Sequence, residues 1–222
     1  MKGLLLNYTF GMWDAVVTGK KTNTRRSHKT LFTVNENPDD YKFIGTVTKK
    51  DGTIMARFIP KQGGQIIECR ARYQPDEIVF LQEPTMNLKP YVTDDDTIMY
   101  QYRDKDGVTE LDHFKQLIEA AKAKGAKWAN KMFMVQAQAR YFVKITEIQI
   151  ERLQDISVRD CIKEGIEHKE ETNTYGYREN GKPIFFTNPK KAYFSLYREI
   201  NKVAPENPWV FSYHFELCSI NG

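Results

Sequence analysis

With 222 residues, 41% hydrophobic and 28% charged, the chain has the make-up of an ordinary globular protein with a substantial core. The formal net charge of +4 permits an anionic partner without demanding one. Three scattered cysteines (Cys69, Cys161 and Cys218) exclude a disulfide framework and a paired-cysteine zinc site, so no metal is expected. Aromatic residues make up 13% of the chain, which favours strands over a helical bundle.

The apolar run Leu4-Leu5-Leu6 is broken by Asn7. It is too short for a signal peptide or a membrane span, so a buried first strand (Leu4 to Tyr8) of a reduced, cytoplasmic protein is expected. Phe10, Trp13, Val16 and Val17 then recur at helical spacing, with Thr9 as the expected N-cap and Gly19 as the stop. Residues 27–64 read as an excursion. Within it Tyr41 to Thr48 and Thr53 to Ile59 alternate around Lys49-Lys50-Asp51-Gly52, a hairpin pattern. Further strands are expected at Gln65 to Tyr73, Glu77 to Gln82, Thr97 to Arg103 and Gly107 to Leu111, and a helix at Phe114 to Ala123.

Arg140 to Ile150 is the strongest strand pattern in the chain. Ser157 and Asp160 resemble a capping box opening a short helix that Gly165 ends, with Glu164 at its last turn. A carboxylate there opposes the helix dipole, a mild misfit that hints at function. Residues 167–187 form a second excursion around Asn180-Gly181, a type I′ turn signal. Asn188-Pro189 opens a final helix with Tyr193, Phe194, Tyr197 and Ile200 on its apolar face, and Pro208 to Leu217 closes the chain as a strand. Few short helices, many strands and no regular βαβ alternation give an α+β, mainly β architecture: a small mixed barrel flanked by short helices.

No glycine-rich nucleotide loop, hydrolase elbow or histidine metal pair is present. The concentrated chemistry lies in Gly19-Lys20-Lys21-Thr22-Asn23-Thr24-Arg25-Arg26, followed by His28 and Lys29, with no acid between Asp14 and Glu36. In a straight strand Lys21 and Thr24 point to opposite faces, so their cooperation requires a bend after Gly19. Neighbouring cations lower the pKa of a lysine such as Lys21, which can then act as a base toward a threonine hydroxyl.

This run, together with Gln74-Pro75, Gln82-Glu83, Ile148 to Ser157, Glu164-Gly165-Ile166 and Asn207-Pro208-Trp209-Val210, resembles the ASCH domain of the PUA-like superfamily, in its phage and prophage form. The resemblance covers most of the chain outside the two excursions. It implies one domain over residues 1–222, a PUA-like mixed β-barrel with two inserted β-rich excursions at about 27–64 and 167–187. It also implies binding of RNA or of a nucleotide or nucleoside, without a cofactor. Members include ribonucleases and hydrolases of N4-acetylcytidine. The catalytic set of the hydrolases falls on Lys21, Thr24 and Glu164, with Lys20, Arg25, Arg26, Lys29 and Glu83 as binding residues. Two departures stand out: Val135-Gln136-Ala137 replaces a Pro-Arg-Trp stretch, and Gln82 replaces an arginine. Three readings follow: a cationic cleft for RNA or a nucleotide, an amidohydrolase of acylated cytidines, and a non-catalytic interaction protein.

Overall fold

Local turn chemistry sets the first boundaries. The computed structural model describes residues 1–7, 9–87, 100–102, 119–202 and 205–219. Its elements begin with β1 (Gly3–Leu5), α1 (Met12–Val17), β2 (Asn23–Arg26), α2 (Phe32–Glu36), β3 (Tyr41–Thr48), β4 (Ile54–Pro60) and β5 (Ile67–Arg70). They continue with β6 (Ile78–Gln82), β7 (Thr85–Asn87), β8 (Tyr100–Tyr102), α3 (residues 119–123) and β9 (Phe142–Arg152). The last are α4 (Val158–Lys163), β10 (Glu167–Lys169), β11 (Thr174–Glu179), β12 (Lys182–Phe186), α5 (Pro189–Ile200) and β13 (Trp209–Cys218).

Several expected punctuation marks are in place. Ser157 Oγ accepts the Asp160 N–H at 3.0 Å, and Asn188 Oδ1 accepts the Lys190 N–H at 2.8 Å. Asn180 and Gly181 sit at φ 49° and 78°, as a type I′ turn requires. The start of α1 differs from the expectation. Thr9 is not the cap: Gly11, left-handed at φ 67°, precedes Met12, and the Thr9 N–H is taken by Asn7 Oδ1 at 2.9 Å. The expected turn at residues 104–107, the strand Gly107 to Leu111 and the first half of the Phe114 to Ala123 helix lie outside the described residues.

The chain divides into two compact units. In the first, from Met1–Leu6 and Val79–Phe142, β1 pairs in parallel with β6, Leu4 opposite Leu81, and β7 pairs antiparallel with β8. Leu4, Val79 and Leu81 are buried.

The second unit, Asn7–Ile78 and Val143–Cys218, carries β9, β13 and β2 as neighbours in that order, the sheet β3-β4-β5 and the sheet β10-β11-β12. Leu31, Val34, Phe58, Ile145, Phe211 and Tyr213 fill its core. The 27–64 excursion belongs to this core. Buried Asn35 accepts the Trp209 N–H at 2.7 Å and donates to the Trp209 carbonyl at 2.9 Å, while Phe58 packs edge-on to the Trp209 ring at 5.2 Å. The molecule is thus mainly β with helices, an α+β architecture. Among the described residues no sheet closes into a barrel; the excursion strands β3 and β4 pair with β5, and β10, β11 and β12 pair among themselves. No described helix is long and apolar enough to cross a membrane.

Candidate functional site

The basic run enters the second unit as a tight return followed by an edge strand. Gly19, at φ 72°, ends α1, and the Lys21 N–H comes back to the Ala15 carbonyl at 2.8 Å. Then β2 pairs antiparallel with β13, Thr24 opposite Tyr213 and Arg25 opposite Ser212. The Phe215 N–H donates to the Thr22 carbonyl at 2.9 Å, so the alternation of the ladder turns the N–H groups of Asn23 and Arg25 toward the free edge.

Glu164 caps that edge. Its Oε1 accepts the Arg25 N–H at 2.7 Å and Nη1–H at 3.3 Å, and the Tyr193 hydroxyl donates to the same oxygen at 3.5 Å. Lys21 Nζ donates to Glu164 Oε2 and, at 2.8 Å, to the Glu164 carbonyl. This resolves the sequence misfit: a lysine from a distant segment covers both the carboxylate and the helix C-terminus. Gly165 follows at φ 99°, where a Cβ would lie 3.6 Å from Lys21 Cβ. Arg25 reaches further, with Nε 2.6 Å from Glu151 Oε1 and Nη2 3.6 Å from Asp160 Oδ2.

Lys21 and Glu164 are 3% and 4% exposed, and Thr24 and Arg25 are each 4% exposed. Two buried cations here face three carboxylates. Burial pushes the Lys21 ammonium below its ordinary range; Glu164 opposes this without cancelling it, and Arg26 and Arg25 reinforce it. Burial also acts against the charge of Arg25, but Glu164 outweighs it, with help from Glu151, and holds the guanidinium above its ordinary value. Burial, then Glu164, lifts the Tyr193 hydroxyl well above its usual range and Tyr197 to about 12. Tyr193 therefore remains a donor to Glu164 at neutral pH. Among the described residues no cluster of metal-ligating side chains forms.

The structure thus brings together Lys21, Arg25 and Glu164. Strand alternation sends Thr24 out of β2 on the side opposite Asn23 and Arg25, facing Tyr213. Lys20 is exposed at the return. Glu83 belongs to the first unit, where it is fully buried and accepts from Arg140 Nε at 3.0 Å and Nη2 at 2.5 Å. Glu151, Asp160 and Tyr193 were not among the expected site residues. The Ser157 motif showed Asp160 only as a capping residue.

A second cluster lies where the excursion begins. Thr30 Oγ1 donates to the Arg70 carbonyl at 2.9 Å, tying the loop of His28 and Lys29 to the strand end that leads to Arg72. Arg72 is exposed, its guanidinium 5.4 Å from the centre of the Tyr73 ring, and its N–H donates to the Tyr213 hydroxyl at 2.9 Å. Burial lowers the His28 pKa, and Arg72 and Lys29 lower it further. Tyr73, raised mainly by burial, feels both Arg72 and Arg26. Arg72 thus acts on both rings, Lys29 on His28 and Arg26 on the buried Tyr73. Nearby, Ser27 and Phe32 line a groove of about 740 Å³ together with Asn35, Ile200 and Lys202. Lys21 and Glu164 do not line it, so the electrostatic clusters define the candidate site.

An α+β, mainly β protein with a closed ion-paired centre and a cationic surface is what fold and site define. The chain matches no family model, no curated protein and no solved structure.

Proposed function

We propose that the chain is a cytoplasmic ASCH-type, PUA-like module that holds single-stranded RNA or a nucleotide by its phosphates. The contact surface is Arg26, Lys29 and Arg72 beside His28 and Tyr73. The observation that carries this reading is how the cations divide. Lys21 and Arg25 are buried against Glu164, Glu151 and Asp160, whereas Lys29 and Arg72 are exposed and Arg26 half-buried. Exposed cations gathered on one surface suit phosphate contacts, which dominate affinity for nucleic acids. Phe32, 65% exposed just beyond Lys29, offers a ring face for stacking a base. The Lys21–Glu164–Arg25 centre then braces the edge of β2. Fluorescence anisotropy with a short single-stranded RNA tests the reading: binding is expected at low salt, with log K falling by roughly 2 per tenfold salt for three phosphate contacts.

A second reading, hydrolysis of an acylated cytidine, is favoured by the Lys21–Glu164 contact and by three buried polar atoms nearby. Asn23 Oδ1, Ser212 Oγ and Tyr197 Oη find no hydrogen-bond partner among the described residues. A neutral Lys21 would take the proton of the hydroxyl that attacks the acyl carbonyl, the Glu164 carboxylate would relay that proton to the amine as its C–N bond breaks, and the acyl group would leave as acetate with water supplying the second oxygen. Its test is release of acetate from N4-acetylcytidine by wild type and none by Lys21→Met; equal rates, or no turnover by wild type, would remove it.

A further inference from the structure

His28 lies beside the proposed contact surface, and neither reading gives it a role. Its Nδ1 lies 3.2 Å from Thr30 Oγ1. The single hydroxyl hydrogen of Thr30 is already given to the Arg70 carbonyl at 2.9 Å, and a carbonyl can only accept. Thr30 Oγ1 must therefore be the acceptor for His28, so Nδ1 carries the hydrogen and Nε2 keeps its lone pair. Protonation adds a hydrogen at Nε2 and leaves the bond to Thr30 intact. The ring can gain charge without breaking any contact that holds it.

The charged groups that act on this ring are Arg72, from the segment after β5, and Lys29, its chain neighbour; the loop is fastened through Thr30 to the Arg70 carbonyl. Both charges are positive, so they disfavour a third on the ring. A phosphate placed among them reverses the balance and favours a proton on Nε2.

We propose that His28 is a ligand-contacting residue of the anion surface, a proton-dependent donor that tightens the grip on phosphate as pH falls. This rests on the RNA-binding reading above. The sign follows from linkage. A bound phosphate raises the pKa of His28 above its value in the free protein, so binding takes up a proton. Affinity begins to rise when pH falls below the pKa of the complex, and the gain is complete below that of the free protein. In the free protein burial, Arg72 and Lys29 hold that lower limit under the ordinary histidine range.

The test titrates a short single-stranded RNA at fixed salt from about pH 8 to about pH 5, with wild type and His28→Gln. Wild type is expected to bind roughly fivefold tighter at the acid end, and His28→Gln to lose that pH dependence. The same acid-side gain in His28→Gln overturns the proposal while leaving the phosphate surface standing. No retention of RNA by wild type at any pH overturns the reading beneath it. Long-range proton–nitrogen NMR of the free wild-type protein supplies a check that needs no RNA: the neutral His28 ring should carry its hydrogen on Nδ1, and a hydrogen on Nε2 would overturn the proposal.

Discussion

Replacing Glu164 with alanine is expected to cost about 3–5 kcal/mol of stability, because it leaves two buried cations without their shared counter-charge. Lys21 and Arg25 both lean on this carboxylate, and the Arg25 N–H at the edge of β2 loses its acceptor as well. For a chain of this length the melting temperature should fall by roughly 10 °C. Glu164→Gln retains an acceptor for the edge N–H but removes the charge, so a smaller loss is expected. The loss in that variant should also depend on pH. Without Glu164 only the influences that lower the Lys21 pKa remain: burial, Arg26 and Arg25. The folded pKa then lies further below the unfolded value of about 10.4, and between the two values the unfolded chain binds more protons. Stability relative to wild type should therefore recover as pH rises through that window and be poorest below it. Urea midpoints at neutral pH and near pH 9 give the comparison. Adding Lys21→Met to Glu164→Gln should restore part of the loss, since a buried pair removed together costs less than a buried charge left alone.

The largest expected effect on binding belongs to the double variant Arg26→Ala/Arg72→Ala. Each phosphate contact with a single strand contributes about 0.7 to the slope of log K against log salt. Two lost contacts flatten that slope by about 1.4, which amounts to roughly a 25-fold loss of affinity at 0.1 M salt if contacts at 1 M are nearly neutral. Less stability should be lost than when the buried Glu164 is replaced, because Arg72 is exposed and Arg26 half-buried. Unchanged urea midpoints beside weakened binding would separate a contact surface from a structural one. Lys20→Ala, a change in an exposed lysine at the return before β2, is expected to have a smaller effect.

Turns and caps were legible where the chemistry is local. The hairpin at Lys49 to Gly52, the Asn180-Gly181 turn, the Ser157 and Asn188 caps and the Gly19 stop each depend on residues a few positions apart. The start of α1 was misread because Thr9 has the right hydroxyl, whereas the left-handed backbone at Gly11 decides where the helix begins. The Lys21–Glu164 contact spans 143 residues of chain, and no periodicity reaches that far; only the family resemblance paired the two. Glu151 and Asp160 escaped notice for a related reason. Glu151 approaches Arg25 from β9, across β13 from β2, and Asp160 approaches it from α4. The same holds for Arg72, which meets the basic run through contacts between distant segments: Thr30 Oγ1 bonds the Arg70 carbonyl, and the Arg72 N–H bonds the Tyr213 hydroxyl. Charge density was readable in the sequence, but which cations are buried was not. Burial separates Lys21 and Arg25 from Arg26, Lys29 and Arg72, which the motif presents as one run and a distant arginine.

The division of cations into a bracing pair and a binding surface is tested most directly by one salt titration, with a short single-stranded RNA bound to wild type and to Arg26→Ala/Arg72→Ala side by side. The account predicts a wild-type slope of roughly −2 that flattens by about 1.4 in the double variant. Equal slopes in the two proteins, or a wild-type affinity indifferent to salt, would contradict it.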